Sequence, residues 1–154
     1  MLILSQSQFD LLLLDKTKEI YGDIHWEKDL EHQGSLIFQV GIDSSIENNL
    51  FIKGTFNQKR ETLTYSMILP PYGSIYRLDM GQTHRNPDRR QKIGRVHKHR
   101  WTEQYRDKWA YAPDDITEPV TNPEGVWRQF CLESNTKHAG NMIGLSTGLQ
   151  GELF

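Results

Sequence analysis

The sequence predicts an α+β fold: a mainly antiparallel β-sheet with one helix near the N-terminus and a second near the C-terminus. Two-residue alternation of apolar side chains between Leu36 and Met80, an apolar stripe of helical period near each end, and polar turns between the alternating segments predict it.

The first helix is expected over Ser5–Glu19. Ser5 and Gln8 fit a capping box, and Leu4 and Phe9 sit where a hydrophobic staple would lie. Phe9, Leu12 and Leu13 make its apolar stripe, with Ile20 farther along and Gly22 as a stop. Leu36, Phe38, Val40 and Ile42 share one face of a strand, and the polar turn from Asp43 to Asn49 leads to a second strand over Leu50–Phe56. The clearest alternation follows Asn57-Gln58, with Leu63, Tyr65, Met67 and Leu69 on one side and Thr62, Thr64, Ser66 and Ile68 on the other. This is an antiparallel meander with one buried face. Pro70-Pro71-Tyr72-Gly73 breaks it, and Ile75–Met80 forms another strand. After a polar turn over Arg85–Gly94 come strands Val96–Trp101 and Arg106–Tyr111, then an acidic loop over 113–121. Asn122 is placed to cap a helix that has Pro123 at its first position and Val126, Trp127, Phe130 and Cys131 on its apolar side.

At 154 residues the chain is one domain in size. Residues 1–136 are assigned to a single α+β domain and residues 137–154 to a Gly-rich, flexible tail, loosely held unless it docks on a partner. The single cysteine, Cys131, excludes an intramolecular disulfide and a multi-cysteine zinc site, and is better read as a small buried residue than as a nucleophile. No apolar run approaches the roughly 20 residues of a membrane span, and Met1-Leu2-Ile3-Leu4 is too short for a signal-peptide core, so a soluble, cytoplasmic protein is expected. There is no G-x-x-x-x-G-K loop and no dinucleotide fingerprint.

The charge is unevenly spread. From His84 to Lys108 nine Lys/Arg stand against three acids, a balance of +6, while the whole chain carries −2. Such asymmetry fits a local surface for an anionic partner on an acidic body, with a solvated basic loop as the plain alternative. Basic and aromatic residues interleave at Arg100-Trp101, Tyr105-Arg106 and Lys108-Trp109, the composition of a surface that grips phosphates and stacks bases. Arg85, Arg89, Arg90, Arg95, Arg100, Trp101 and Arg106 are the candidate nucleic-acid contacts. Trp109 is expected in the core.

The candidate chemistry lies in the same stretch. In an extended segment His97 and His99 project to one face with Cα atoms roughly 7 Å apart, while Lys98 and Arg100 project to the other. Asp79 alternates with Leu78 and Met80, and Asp107 lies in the strand beyond. If these segments are neighbours, His84, His97, His99, Asp79 and Asp107 converge. Two chemistries are then open. Two imidazoles act as general base and acid on an RNA phosphodiester while arginines stabilise the charge, or His84, His97 and His99 hold a divalent metal such as zinc that activates water. Histidines that merely brace a sheet are the alternative to both. His25 and His32 lie in a polar connection and are expected to be solvated.

The stretch from Leu78 to Tyr111, with Leu78-Asp79-Met80-Gly81-Gln82-Thr83-His84-Arg85-Asn86-Pro87-Asp88, then His97-Lys98-His99, then Glu103 to Tyr111, resembles a family of small bacterial and prophage proteins catalogued as a domain of unknown function. Its pattern runs L-D-x-x-G-x-x-H-x-N-P-D, H-x-H, E-G-Y-x-D-K-W-A. Arg89 and Gln104 replace glycines of that pattern. The resemblance implies no activity; it implies a setting in mobile elements and phage–host conflict. The resulting expectation is a protein that engages RNA or single-stranded nucleic acid, with His-dependent ribonuclease activity as its catalytic form. The alternative is a non-catalytic inhibitor or subunit that binds a host defence protein complex, of the anti-CRISPR or CRISPR-associated kind, with no membrane partner in either case.

Overall fold

The computed structural model describes residues 3–145. Helix α1 (Gln6–Leu14) is followed by three short strands, β1 (Glu19–Ile20), β2 (Ile24–His25) and β3 (Glu27–Lys28). The meander comprises β4 (Ser35–Gly41), β5 (Phe51–Asn57), β6 (Thr62–Leu69) and β7 (Gly73–Met80). A small hairpin, β8 (His84–Arg85) and β9 (Lys92–Ile93), precedes β10 (Val96–Arg100) and β11 (Ala110–Tyr111). Helix α2 (Pro123–Glu133) leads to β12 (Lys137–His138) and β13 (Met142–Ile143). Seven strands form one antiparallel sheet in the order β11-β10-β7-β6-β5-β4-β3. The predicted architecture, a mainly antiparallel sheet with a helix near each end, is present.

Local chemistry explains the elements that were anticipated. The Ser5 hydroxyl accepts from the Gln8 amide while Gln8 Oε1 accepts from the Ser5 amide, which closes the capping box of α1. Asn122 caps α2 with Pro123 in its first turn, and Val126, Trp127, Phe130 and Cys131 are buried on one side. Burial pushes the Cys131 thiol up to about 12, which leaves it protonated and inert. Tyr65, Tyr76, Leu78 and Met80 face the helical layer, where Trp127 and Phe130 pack on Tyr65 and Tyr76 at 5.0 and 5.7 Å between ring centroids. The opposite face of β6 and β7 carries Thr64, Ser66, Arg77 and Asp79.

Two expectations are corrected, and a third falls partly outside the described residues. Helix α1 ends at Leu14, five residues short of Glu19, because the buried Lys18 ammonium folds back onto the carbonyls of Leu12, Leu13 and Asp15 and satisfies the helix end early. The expected strand Arg106–Tyr111 contracts to Ala110–Tyr111. Arg106 takes φ 56° and the Lys108 N–H bonds back to the Tyr105 carbonyl at 3.0 Å, so the chain turns through 106–108 instead of extending. The tail expected from residue 137 lies partly outside the described residues. Its described part is docked, since β12 pairs in parallel with β1 and β13 with β2.

A further reassignment concerns Lys98, counted above within the basic stretch. It is wholly buried on the core face of β10, with Nζ 2.7 Å from Asp115 and 2.5 Å from Glu133, and lies over the Tyr76 ring at 5.5 Å. Burial alone would raise the Glu133 carboxyl; its contacts with Asp115, Lys98 and Tyr76 outweigh that and lower it to about 2. The ammonium thus ties β10 to the C-terminal end of α2. Lys98→Met is expected to lower stability in urea denaturation by roughly 3 kcal/mol. This is the low end for breaking a buried pair, because both carboxylates keep some solvent contact.

Candidate functional site

The polar face of the sheet becomes a site where β6, β7 and β10 lie side by side. Register places Thr64 opposite Asp79 and Asp79 opposite His97; in the next row Ser66 faces Arg77 and Arg77 faces His99. Because alternate residues share a face, both imidazoles, the carboxylate and the guanidinium rise from the same surface. Asp79 Oδ2 lies 3.0 Å from Arg77 Nε, 3.2 Å from His99 Nε2 and 3.5 Å from His97 Nε2, and Oδ1 accepts from the Thr64 hydroxyl at 3.0 Å. Arg77 Nη1 reaches Asp107 Oδ2 at 3.7 Å. Burial would raise the Asp79 carboxyl, but the adjoining imidazoles and the Arg77 charge hold it well below the usual carboxylate range.

His84 enters from the β8–β9 hairpin. Gly81 makes the turn toward it at φ +110°, and a Cβ there would lie 2.5 Å from the Glu61 carbonyl, so only glycine fits. The three rings gather with centroids 4.6 Å (His84–His99), 5.0 Å (His97–His99) and 5.6 Å (His84–His97) apart. His97 and His99 are 2% and 3% exposed, whereas His84 is only half-buried. Desolvation pushes the His84 imidazole below the usual histidine range. Its bond to the Lys108 carbonyl opposes this, and repulsion from His99, His97 and Arg77 adds to it.

The loop 102–110 is stitched over this floor by the site residues themselves. His99 Nδ1 meets the Asp107 carbonyl at 2.9 Å, His84 Nε2 meets the Lys108 carbonyl at 3.0 Å, and His97 Nδ1 meets the Gly94 carbonyl at 3.0 Å. The buried Asn86 amide donates to the Ala110 carbonyl at 2.8 Å and accepts the Ala110 N–H at 2.7 Å. Together these enclose a cleft of about 710 Å³, with Arg77, Asp79, His84, His97 and His99 in its lining and Arg85, Arg89, Asp107 and Lys108 around them.

The predicted site residues therefore divide. His84, His97, His99, Asp79 and Asp107 come together, and Arg85 and Arg89 line the same cleft. Arg90 and Arg95 are exposed on and after the hairpin but do not line it, and Arg106 is exposed at the turn of the loop. Arg100 lies on the other face, over the Phe9 ring at 5.7 Å and 3.8 Å from Asp10. Trp101 offers no stacking surface: it is 2% exposed, with its indole N–H bonded to the Leu4 carbonyl. Trp109, expected in the core, is instead half-buried and stacks on Tyr105 at 5.1 Å. Arg77 was missed, although it alternates with Asp79 and so shares its face. Of the remaining histidines, His25 and His32 are exposed, and His138 is engaged between Trp127 and the Gly22 carbonyl.

Among the described residues, His84, His97 and His99 are the group able to hold a metal ion, with one ligand atom from each lying within 4.8 Å of the others. No helix there is long and apolar enough to cross a membrane. A family model described as "Family of unknown function (DUF6978)" matches residues 4–136 and so covers the whole site. No curated protein and no solved structure matches the chain.

Asn86→Ala leaves two buried backbone groups of Ala110 without partners. It is expected to cost roughly 2 kcal/mol and to speed amide hydrogen exchange at Ala110, as read by mass spectrometry, while the meander keeps its protection.

Proposed function

We propose that this chain, which belongs to the family of unknown function DUF6978, binds single-stranded RNA in the histidine cleft and breaks a phosphodiester bond there. One observation carries the reading: three imidazoles and a carboxylate meet at the floor of a cleft whose rim supplies Arg85, Arg89 and Lys108. A phosphodiester is the group that needs both halves. The guanidiniums and the ammonium neutralise the phosphate and its developing charge. One imidazole takes the proton of the attacking oxygen, directly or through a bound ion that activates it, and another gives a proton to the leaving oxygen as the P–O bond breaks.

Depth supports a single strand over a duplex. His97 and His99 are almost wholly buried, and a phosphate reaches them only if its strand bends into the cleft, which a paired strand resists. The cavity falls within the range of about 300–1,000 Å³ usual for ligand sites, which suits a short stretch of strand. Gln82 and Thr83 in the lining add neutral hydrogen-bonding groups for sugar or base edges.

Binding of a fluorescent single-stranded RNA is expected to weaken with salt at a log–log slope of about −2, as for three contacted phosphates, and Arg85→Glu with Arg89→Glu should flatten that slope. His97→Ala and His99→Ala should slow cleavage by about 10²–10⁴-fold while leaving binding largely intact. Cleavage by both variants at the parental rate overturns the catalytic assignment. A stoichiometric host protein recovered without RNA would replace it with the binding-protein alternative.

A further inference from the structure

We propose that His84, His97, His99 and Asp79 form a binding site for one divalent transition-metal ion of the zinc class. The site is the cleft just described. Only the ion's catalytic use rests on the functional reading above; its binding is argued from geometry.

Hydrogen bonding determines which nitrogen each ring can offer. A backbone carbonyl only accepts, so the ring nitrogen facing one carries the proton. That assigns protons to Nδ1 of His97, against Gly94, to Nδ1 of His99, against Asp107, and to Nε2 of His84, against Lys108. In neutral rings the lone pairs are then on Nε2 of His97, Nε2 of His99 and Nδ1 of His84. Bracing of the far nitrogen is how proteins orient histidines that bind metals, and here all three rings have it.

The near side is unsatisfied. His99 Nε2 is buried and has no hydrogen-bond partner. Asp79 Oδ2 is 3.2 Å away, but the ring nitrogen points past it. Either a second ring proton or a shared cation must lie between that nitrogen and the carboxylate, because an unprotonated nitrogen would repel it; with the neutral ring's proton held on Nδ1, a cation is what fits. A tetrahedral ion with bonds of about 2.0–2.1 Å holds its ligand atoms about 3.3–3.4 Å apart. The separations of Oδ2 from the two buried nitrogens, 3.2 and 3.5 Å, bracket that spacing. Protonating both rings is the poorer solution. It would set two cations 5.0 Å apart beside Arg77, and the His99 proton would still miss the carboxylate.

The donor chemistry selects the ion. Three imidazoles and one carboxylate suit zinc and its neighbours, whereas magnesium and calcium require oxygen ligands. Asp79 is fixed by two further partners, Arg77 Nε on Oδ2 itself and the Thr64 hydroxyl on Oδ1. His84, half-buried on the two-residue β8, supplies the third imidazole, and one ligand atom from each of the three histidines lies within 4.8 Å of the others. It is also the ligand able to yield its place to water or a phosphate oxygen.

The test uses the full chain and Zn²⁺ or Co²⁺ alone. The wild type is expected to bind one equivalent of Zn²⁺ by calorimetry, and Co²⁺ should give the intense visible band of a tetrahedral site. His99→Ala and Asp79→Asn should each weaken Zn²⁺ binding by at least about 100-fold and abolish the band. His84→Ala should keep a weaker site with an altered band, and His25→Ala, at an exposed histidine, should change nothing. Circular dichroism identifies any variant that fails to fold; the wild-type stoichiometry and band still decide the matter. Absence of stoichiometric Zn²⁺ and of the Co²⁺ band in the wild type overturns the proposal. So does retention of both in folded His99→Ala. RNA cleavage that persists in chelator would overturn the ion's catalytic use and leave the ribonuclease reading standing. Metal binding without RNA cleavage would overturn the ribonuclease reading, and the ion's catalytic use with it, and leave the metal site standing.

Discussion

The register between β7 and β10 is the constraint on which the site depends. It sets His97 opposite Asp79 and His99 opposite Arg77, so that four functional groups rise from two adjacent rows. A slip of one residue would turn both imidazoles into the apolar layer and bring Lys98 out into the cleft. The reverse face opposes such a slip. Lys98 is anchored there between Asp115 and Glu133, and it lies between the two histidines in the chain. A buried ion cluster is a weak source of net stability, but a slipped register would leave Asp115 and Glu133 without the Lys98 ammonium between them.

The second organising feature is the double use of each imidazole. One nitrogen of each ring faces the cleft interior and the other holds a backbone carbonyl, two of them in the loop 102–110. The rings are therefore fixed in tautomer by the segment that they hold in place. Loop and floor are mechanically one unit, reinforced by the paired bonds between Asn86 and Ala110. Preorganisation of this kind lets the functional atoms meet a ligand with little rearrangement.

Much of the scaffold was legible because its signals are local. Alternation placed the meander strands, the Ser5–Gln8 box and the Asn122–Pro123 pair placed both helix starts, and the parity of His97, His99 and Asp79 placed them on the right face. What was not legible depends on distant partners. Nothing near Lys98 announces that its ammonium ends beside residues 115 and 133, and nothing near Lys18 shows that it will cap α1. Trp101 is buried and Trp109 only half-buried, stacked on Tyr105, the opposite of the burial expected for each. Burial of the first indole is decided by the Leu4 carbonyl, 97 residues away. Arg77 was readable from its phase with Asp79, but an arginine between Tyr76 and Leu78 has no local mark that sets it apart from a solvated one.

The two parallel pairs, β1 with β12 and β2 with β13, have a consequence for biosynthesis. Residues 19–25 leave the ribosome well before their strand partners at 137–143. The whole meander must be synthesised before those ladders can close, and closing so long a loop is entropically late and kinetically slow. Until residues 137–143 have emerged, the earlier segment has no strand to pair with on this side and its seam stays open.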